Sequence, residues 1–174
     1  MKLTTDRLLL RNFSENDWMD LFEYLSDPEV VRYEPHLPMT LAEVREELHR
    51  RILSEEMVAV ELKSNGKLIG NVYLGKRENN SLEIGFVFNK DYWKQGYAME
   101  SCSVLIRNAF DTGVKRIYAE CDPENQNSWR LLEKLGFTRT AYLEKNVFFW
   151  RDENGEPIWK DTYIYSLAST VQVQ

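Results

Sequence analysis

Residues 93–100 read WKQGYAME, with a single Gly96 between Gln95 and Tyr97 at the entrance to a segment whose apolar residues Ala98, Val104, Leu105, Ala109 and Phe110 fall near helical spacing. A glycine there serves one of two purposes. It makes a tight turn that only packs, or a turn whose backbone N–H groups hold an anion against the helix start. The remainder of the chain has to decide between them.

Upstream of the turn the chain reads as sheet. MVAVELK (57–63) and KLIGNVYLG (67–75) flank an Asn65-Gly66 turn, and a second turn at 77–80 leads to SLEIGFVF (81–88), so an antiparallel meander is expected. Earlier still, a strand over Leu8–Phe13 precedes a helix capped by Ser14, with Trp18, Leu21, Phe22 and Leu25 at helical spacing. Residues 27–40 carry three prolines and Tyr33 and predict a loop. Thr40 and Glu43 then make a capping box for a second helix through about Leu53. Downstream, Gly113 closes the helix that begins at Tyr97, residues 116–121 predict a strand, and residues 125–136 a short helix closed by Gly136. Two last strands flank DENGEP (152–157). This order describes a mixed α/β chain on one sheet, and 174 residues suit one core and one domain, 1–174.

Composition narrows the function classes. Hydrophobic residues at 43% and charged residues at 29% are ordinary globular values and argue against disorder, collagen-like repeats and coiled coils. Acids outnumber Lys plus Arg by 28 to 22, a formal charge of -6 that disfavours nucleic acid and mildly favours a cationic partner. Cys102 and Cys121 lack a CxxC spacing, so reduced thiols and no metal site are expected. The run Leu8–Leu10 is too short for a signal-peptide core or a membrane span; no membrane contact and a cytoplasmic location are expected. His36 and His49 have no partner motif and read as surface residues. Neither a GxxxxGK[ST] nor a GxGxxG pattern supports a nucleotide-binding reading.

DYWKQGYAMES (91–101), followed by a strand and then by ENQNSWRLLEKLGF (124–137), resembles the GNAT acetyltransferase superfamily, most closely its branch that acetylates N-terminal amines of ribosomal proteins. The likeness runs from LTTDRLLLRNF to DTYIYSL. It implies the GNAT fold: a single mixed, mostly antiparallel sheet with a central splayed strand pair and helices on both faces. It also implies acetyl-coenzyme A (acetyl-CoA) as co-substrate and no metal. The superfamily's anion loop falls on residues 93–98, with Trp93 where Gln or Arg is usual. Lys94, Gln95, Gly96, Tyr97, Ala98 and Met99 would offer successive N–H groups to the pyrophosphate at the helix start. Phe86, Val87 and Phe88 would lie along the pantetheine with backbone atoms as contacts, their strand splayed through a bulge, and Gly85 fits such a bulge or a close backbone approach. Asn125 and Ser128, matching the family's NxxS, would meet the pantetheine and sulfur end, although either residue is also a good helix cap.

Transfer from a thioester to an amine needs a neutral amine, a polarised carbonyl and a proton for the departing thiolate. The resemblance points to Glu83 as a general base acting through a water, with Glu120 as its rival; a solvated carboxylate is the plain alternative for each. The Tyr that protonates the thiolate in many relatives is Leu132 here, which leaves Ser128 or solvent. Tyr33 and Glu34 are expected to line the amine's entrance, near the last hairpin, whose Trp150, Trp159, Tyr163 and Tyr165 read as core by default, with a substrate wall or a dimer seam as the alternatives. Deprotonating a lysine amine at pH 7 costs about 4–5 kcal/mol, an α-amine only about 1–1.4. A protein N-terminal α-amine is therefore the expected acceptor. The rivals are an acetyltransferase for a small amine (polyamine, amino acid or antibiotic) and a CoA-binding sensor without turnover. Monomer and homodimer both stay open.

Overall fold

Thr40 and Glu43 close the capping box as expected, the Thr40 N–H donating to the Glu43 carboxylate at 2.7 Å, and start a helix (α2, Leu41–Leu53). In this computed structural model, which describes residues 2–169, α2 packs beside α1 (Trp18–Leu25) on one face of a sheet. Leu21, Tyr24, Leu25, Val44 and Leu48 are buried there against Ala59 and Leu68. Each such apolar side chain removed from water contributes about 1.5–3 kcal/mol, which outweighs the modest helix propensity of an eight-residue segment.

The sheet contains β1 (Lys2–Thr4), β2 (Leu8–Arg11), β3 (Met57–Leu62), β4 (Leu68–Arg77), β5 (Ser81–Phe88), β6 (Arg116–Cys121), β7 (Thr138–Arg151) and β8 (Pro157–Ala168). Its spatial order is β1-β2-β3-β4-β5-β6-β8-β7, and among the described residues the only parallel pair is β5 with β6. β1 escapes the sequence reading because three residues carry too little periodicity; β2 is the shorter form of the expected Leu8–Phe13 strand. The opposite face is covered by α3 (Tyr97–Asp111) and α4 (Gln126–Lys134), whose Leu105, Ile106 and Leu132 join Val58, Val60, Val72, Ile84 and Ile117 in a second core.

Two features of the sheet build the site. β5 and β6 pair only over Ser81–Glu83 and Arg116–Tyr118, then part, so a cleft opens between the rest of β5 and the end of β6. This is the expected splay, but it does not come from a bulge at Gly85. The β4–β5 register is continuous from Arg77↔Ser81 to Gly70↔Phe88, and the irregularity lies between β3 and β4, at Val60/Glu61. A Cβ at Gly85 would meet only Tyr73 atoms at ordinary contact, the nearest at 3.8 Å. The close approach falls at Gly70, where a Cβ would sit 2.5 Å from the Phe88 ring, so that glycine is what lets Phe88 fold down on β4.

The last hairpin departs from expectation as well. Tyr165 is fully buried and Tyr163 half-buried, but Trp150 and Trp159 are 37% and 48% exposed. Both lie on the far part of a β7–β8 ribbon whose register is interrupted three times, beyond the stretch of β8 that pairs with β6.

Candidate active site

At the splay sits an open cavity of about 700 Å³. Its walls come from the end of β5 (Phe86, Val87, Phe88), the turn into α3, the first turns of α4 and the 27–40 loop. It is of a size that takes most of a cofactor-sized ligand.

The turn into α3 is shaped by two left-handed residues, Lys94 (φ +58°) and Gly96 (φ +84°), in a stretch that otherwise runs from a 3-10 turn (Lys90–Tyr92) into the helix. Gly96 is the N-cap, so the orphan N–H groups of the first turn of α3 begin there, with the positive end of the helix dipole behind them. A side chain is disfavoured at this φ, and a Cβ would also press against Arg7 at 3.3 Å. Trp93 explains its own departure from the family pattern: its indole N–H donates to the Phe88 carbonyl at 2.7 Å, locking the turn to the end of β5. The Gln95 amide does similar work on the Asp91 carbonyl at 2.9 Å.

A brace that sequence reading missed reaches the same turn from the far end of the chain. Arg7 Nη1 donates to the Gln95 carbonyl at 3.0 Å, its Nε to Glu100 at 2.7 Å, and its guanidinium lies 4.3 Å from the Tyr97 ring centroid. Glu100 also accepts from the Arg7 N–H at 3.1 Å and from the Thr5 hydroxyl. These bonds hold the Glu100 carboxylate below its usual range against the desolvation that would raise it. No local pattern signals a contact spanning more than ninety residues.

On β5, the Asn89 N–H donates to the Ile69 carbonyl, which fixes the alternation of the β4–β5 ladder. Backbone groups of Val87 therefore point to β4, and those of Phe86 and Phe88 point into the cleft. Val87 offers the cavity its side chain, contrary to the backbone contact expected of it. Of the cleft-facing carbonyls, that of Phe88 is already taken by Trp93.

The Asn125 side chain caps α4, accepting from the Ser128 N–H at 3.2 Å, and both residues line the cavity. The Ser128 hydroxyl neighbours Cys121, whose thiol burial pushes up to about 12. Cys102 is likewise pushed up to about 12 by complete burial. Neither thiol is a usable thiolate near neutral pH. Leu132, one turn beyond Ser128, is 1% exposed and belongs to the core.

Of the expected site residues, Tyr33, Glu34, Phe86, Val87, Phe88, Lys94, Gly96, Tyr97, Ala98, Met99, Asn125 and Ser128 line this one cavity. Gln95 acts from behind it. Glu83 and Glu120 are outside its walls: Glu83 is ion-paired with Arg77, and Glu120 is exposed on β6. The walls add two cations that no motif had pointed to, Arg130 and Lys134 on α4, one turn apart. With Lys94 they make the turn-and-α4 side of the cavity positive in a chain of net charge -6, as a phosphate-bearing ligand requires. Among the described residues there is no cluster of metal-ligating side chains and no helix long and apolar enough to cross a membrane.

Comparison with known proteins identifies the family and the fold. Residues 7–138 match the family model described as the acetyltransferase (GNAT) domain. The chain is similar to YnaD of Bacillus subtilis, described as an uncharacterized N-acetyltransferase, at 32% identity over 96% of each chain. It is also similar to the crystal structure of a GNAT-family acetyltransferase from Bacillus anthracis, at 31% identity, TM-score 0.89, covering 98% of this chain and 100% of that one. Two structures share the fold at lower identity. Ribosomal-protein-S5-alanine acetyltransferase from Vibrio fischeri has 18% identity and TM-score 0.80, covering 100% of both chains. Spermidine N-acetyltransferase from Vibrio cholerae, in complex with CoA and spermine, has 19% identity and TM-score 0.77, covering 95% of this chain and 98% of that one.

Proposed function

The chain belongs to the GNAT N-acetyltransferase family, whose members use acetyl-CoA, and from that premise we propose that its acceptor is a primary amine, specifically the α-amine at a protein N-terminus. The observation that carries the reading is the open cavity at the β5–β6 splay, positive at the turn into α3 and α4 and bounded on the other side by the 27–40 loop. The pyrophosphate sits on the N–H groups from Lys94 to Met99, facing Arg130 and Lys134. The pantetheine runs along the cleft edge of β5, pairing with backbone groups of Phe86 and the N–H of Phe88, with Asn125 and Ser128 on the α4 side. Transfer is direct: neither Cys102 nor Cys121 lines the cavity, and burial disfavours the thiolate of both, so an acyl-cysteine intermediate has no nucleophile at hand. With Leu132 buried in the core, the Ser128 hydroxyl or solvent returns the proton to the leaving thiolate.

The α-amine is favoured on energetic grounds, since freeing its lone pair at pH 7 costs about 3–4 kcal/mol less than freeing that of a lysine. The openness of the cleft suits the end of a chain, and the fold is shared with an acetyltransferase of a ribosomal protein. A small polyamine is the second reading, favoured by Glu29 and Glu34 on the amine side of the cavity and by a fold shared with a spermidine acetyltransferase. Thiol release from acetyl-CoA, measured across N-terminal peptides and small amines, tests the choice. A higher kcat/KM on spermine than on any peptide would sink the α-amine reading. The location proposed is the cytoplasm, and the whole chain is proposed to act as one domain.

A further inference from the structure

We propose that Glu34, rather than Glu83 or Glu120, is the carboxylate that receives the amine and takes up its proton. The proposal rests on the acetyl-transfer reading of the same cavity. Two acids stand in the cavity wall, Glu29 and Glu34. Glu29 is exposed and has Lys90 within 3.8 Å. Glu34 is half-buried, shares the wall with Phe86 and Val87, and its carboxylate has no hydrogen-bond or ion-pair partner among the described residues. A desolvated, unpartnered carboxylate facing a ligand cavity is costly for the fold, and a cationic ligand is what would offset it.

The surroundings tune this group for proton transfer. Burial raises its pKa, while the charges of His36 on its own loop and Arg51 on α2 act through space to lower it. Arg51 is itself 6% exposed and fixed, donating to Asn71 and Glu47 at 2.8 Å each, with the Tyr24 hydroxyl donating to the same Asn71 oxygen at 2.8 Å. Other charged groups around the cavity are Glu29 and Arg32 on the loop, Lys94 before α3, and Arg130 and Lys134 across it on α4. The loop is held over the cleft from the next residue: the Tyr33 hydroxyl donates to the Glu124 carbonyl at 3.2 Å, just ahead of α4. The Glu34 N–H donates back to the Val31 carbonyl at 2.9 Å.

The step balances as follows. The substrate ammonium gives one proton to the Glu34 carboxylate, and its freed lone pair forms the C–N bond to the acetyl carbonyl carbon. The C–S bond breaks, the thiolate takes the second nitrogen proton by way of Ser128 or solvent, and Glu34 returns its proton to water. Products are the acetamide, the free thiol and one proton.

The test compares Glu34→Gln, Glu34→Asp and Glu83→Gln by thiol release from acetyl-CoA, with an alanine-terminated peptide and with spermine, across pH. Calorimetry of acetyl-CoA binding runs beside it. Glu34→Gln is expected to lose about 100-fold in kcat/KM and the acidic limb of the pH profile, with acetyl-CoA affinity within about twofold of wild type. Glu34→Asp should restore part of the rate and the limb. If Glu83→Gln carries the larger loss, the proposal is overturned and the role returns to Glu83; near-wild-type rates for both variants overturn it in favour of solvent. Faster turnover of spermine than of the peptide would break the α-amine reading alone, because the role of Glu34 is then decided on spermine.

Discussion

The turn before α3 and the loop opposite it, residues 27–40, face each other across one cavity and are held in opposite ways. The turn is tied by its own neighbours, through Trp93 to the Phe88 carbonyl and Gln95 to the Asp91 carbonyl, and is braced again by Arg7 and Glu100. The loop hangs on two side-chain tethers, the Tyr33 hydroxyl to the Glu124 carbonyl and Asp27 to the Lys90 ammonium at 2.6 Å, and carries an unpartnered carboxylate at Glu34. A rigid nest suits a ligand whose phosphates are always the same. A loop on few tethers, presenting one costly acid, suits the partner that differs among acetyltransferases of this fold.

The largest effect should come from breaking the nest itself. Gly96→Pro removes an N–H and imposes a φ near −65° where the backbone needs +84°, and acetyl-CoA affinity measured by calorimetry should fall by at least about 100-fold. An unchanged affinity would refute the anion-turn assignment. Next in size is the brace. Arg7→Ala deletes the bond to the Gln95 carbonyl and leaves Glu100 without its ion pair, and about a tenfold weakening of acetyl-CoA is expected, consistent with a charged hydrogen bond worth about 1.5–3 kcal/mol. S-acetylpantetheine, which lacks the pyrophosphate, should bind Arg7→Ala and wild type alike; equal losses for both ligands would show a general loss of structure.

On the amine side the expected effects are smaller. Tyr33→Phe should raise KM for the peptide about two- to threefold and leave acetyl-CoA affinity alone, because a half-exposed neutral hydrogen bond contributes about 0.5–1.5 kcal/mol. A matching loss of acetyl-CoA affinity would mean that the loop and the nest are one unit. Smallest is a stability effect with a definite sign. The folded-state pKa of Glu34 lies above its unfolded value, so the folded chain binds more protons between the two and stability falls as pH rises through that window. Glu34→Gln cannot ionise, so its melting temperature at pH 7 should exceed that of wild type by about 1–3 °C, and the gain should vanish below the ordinary glutamate range. A lower melting temperature at neutral pH would mean that Glu34 is a structural anchor.

The same contrast explains what could be read in advance. Capping boxes, the Asn-Gly turn and the helical periods act over a few residues, so α2, α4, the meander and the entry to α3 were legible. The bulge expected at Gly85 was misplaced because a glycine in a strand states only that no side chain is needed, and here the need was at Gly70, under the Phe88 ring. Alternation on a long hairpin looks the same whether or not a partner layer lies beyond it, so the pattern alone does not show that Trp150 and Trp159 stay exposed. Glu83 was singled out by its position in a family pattern, yet its charge is engaged by Arg77, a partner set by the turn between β4 and β5.

From its amino acids alone, then, this chain determined a mixed sheet, a tight glycine turn at Gly96 into α3 and the capped starts of α2 and α4, since all three follow from contacts between near neighbours. Only the tertiary structure decided that Arg7 braces that turn, that Arg130 and Lys134 face it, and that Glu34 is the acid left unpaired in the cavity. Each of those depends on which distant side chains come within a few ångströms of one another, and on how much water the fold leaves between them.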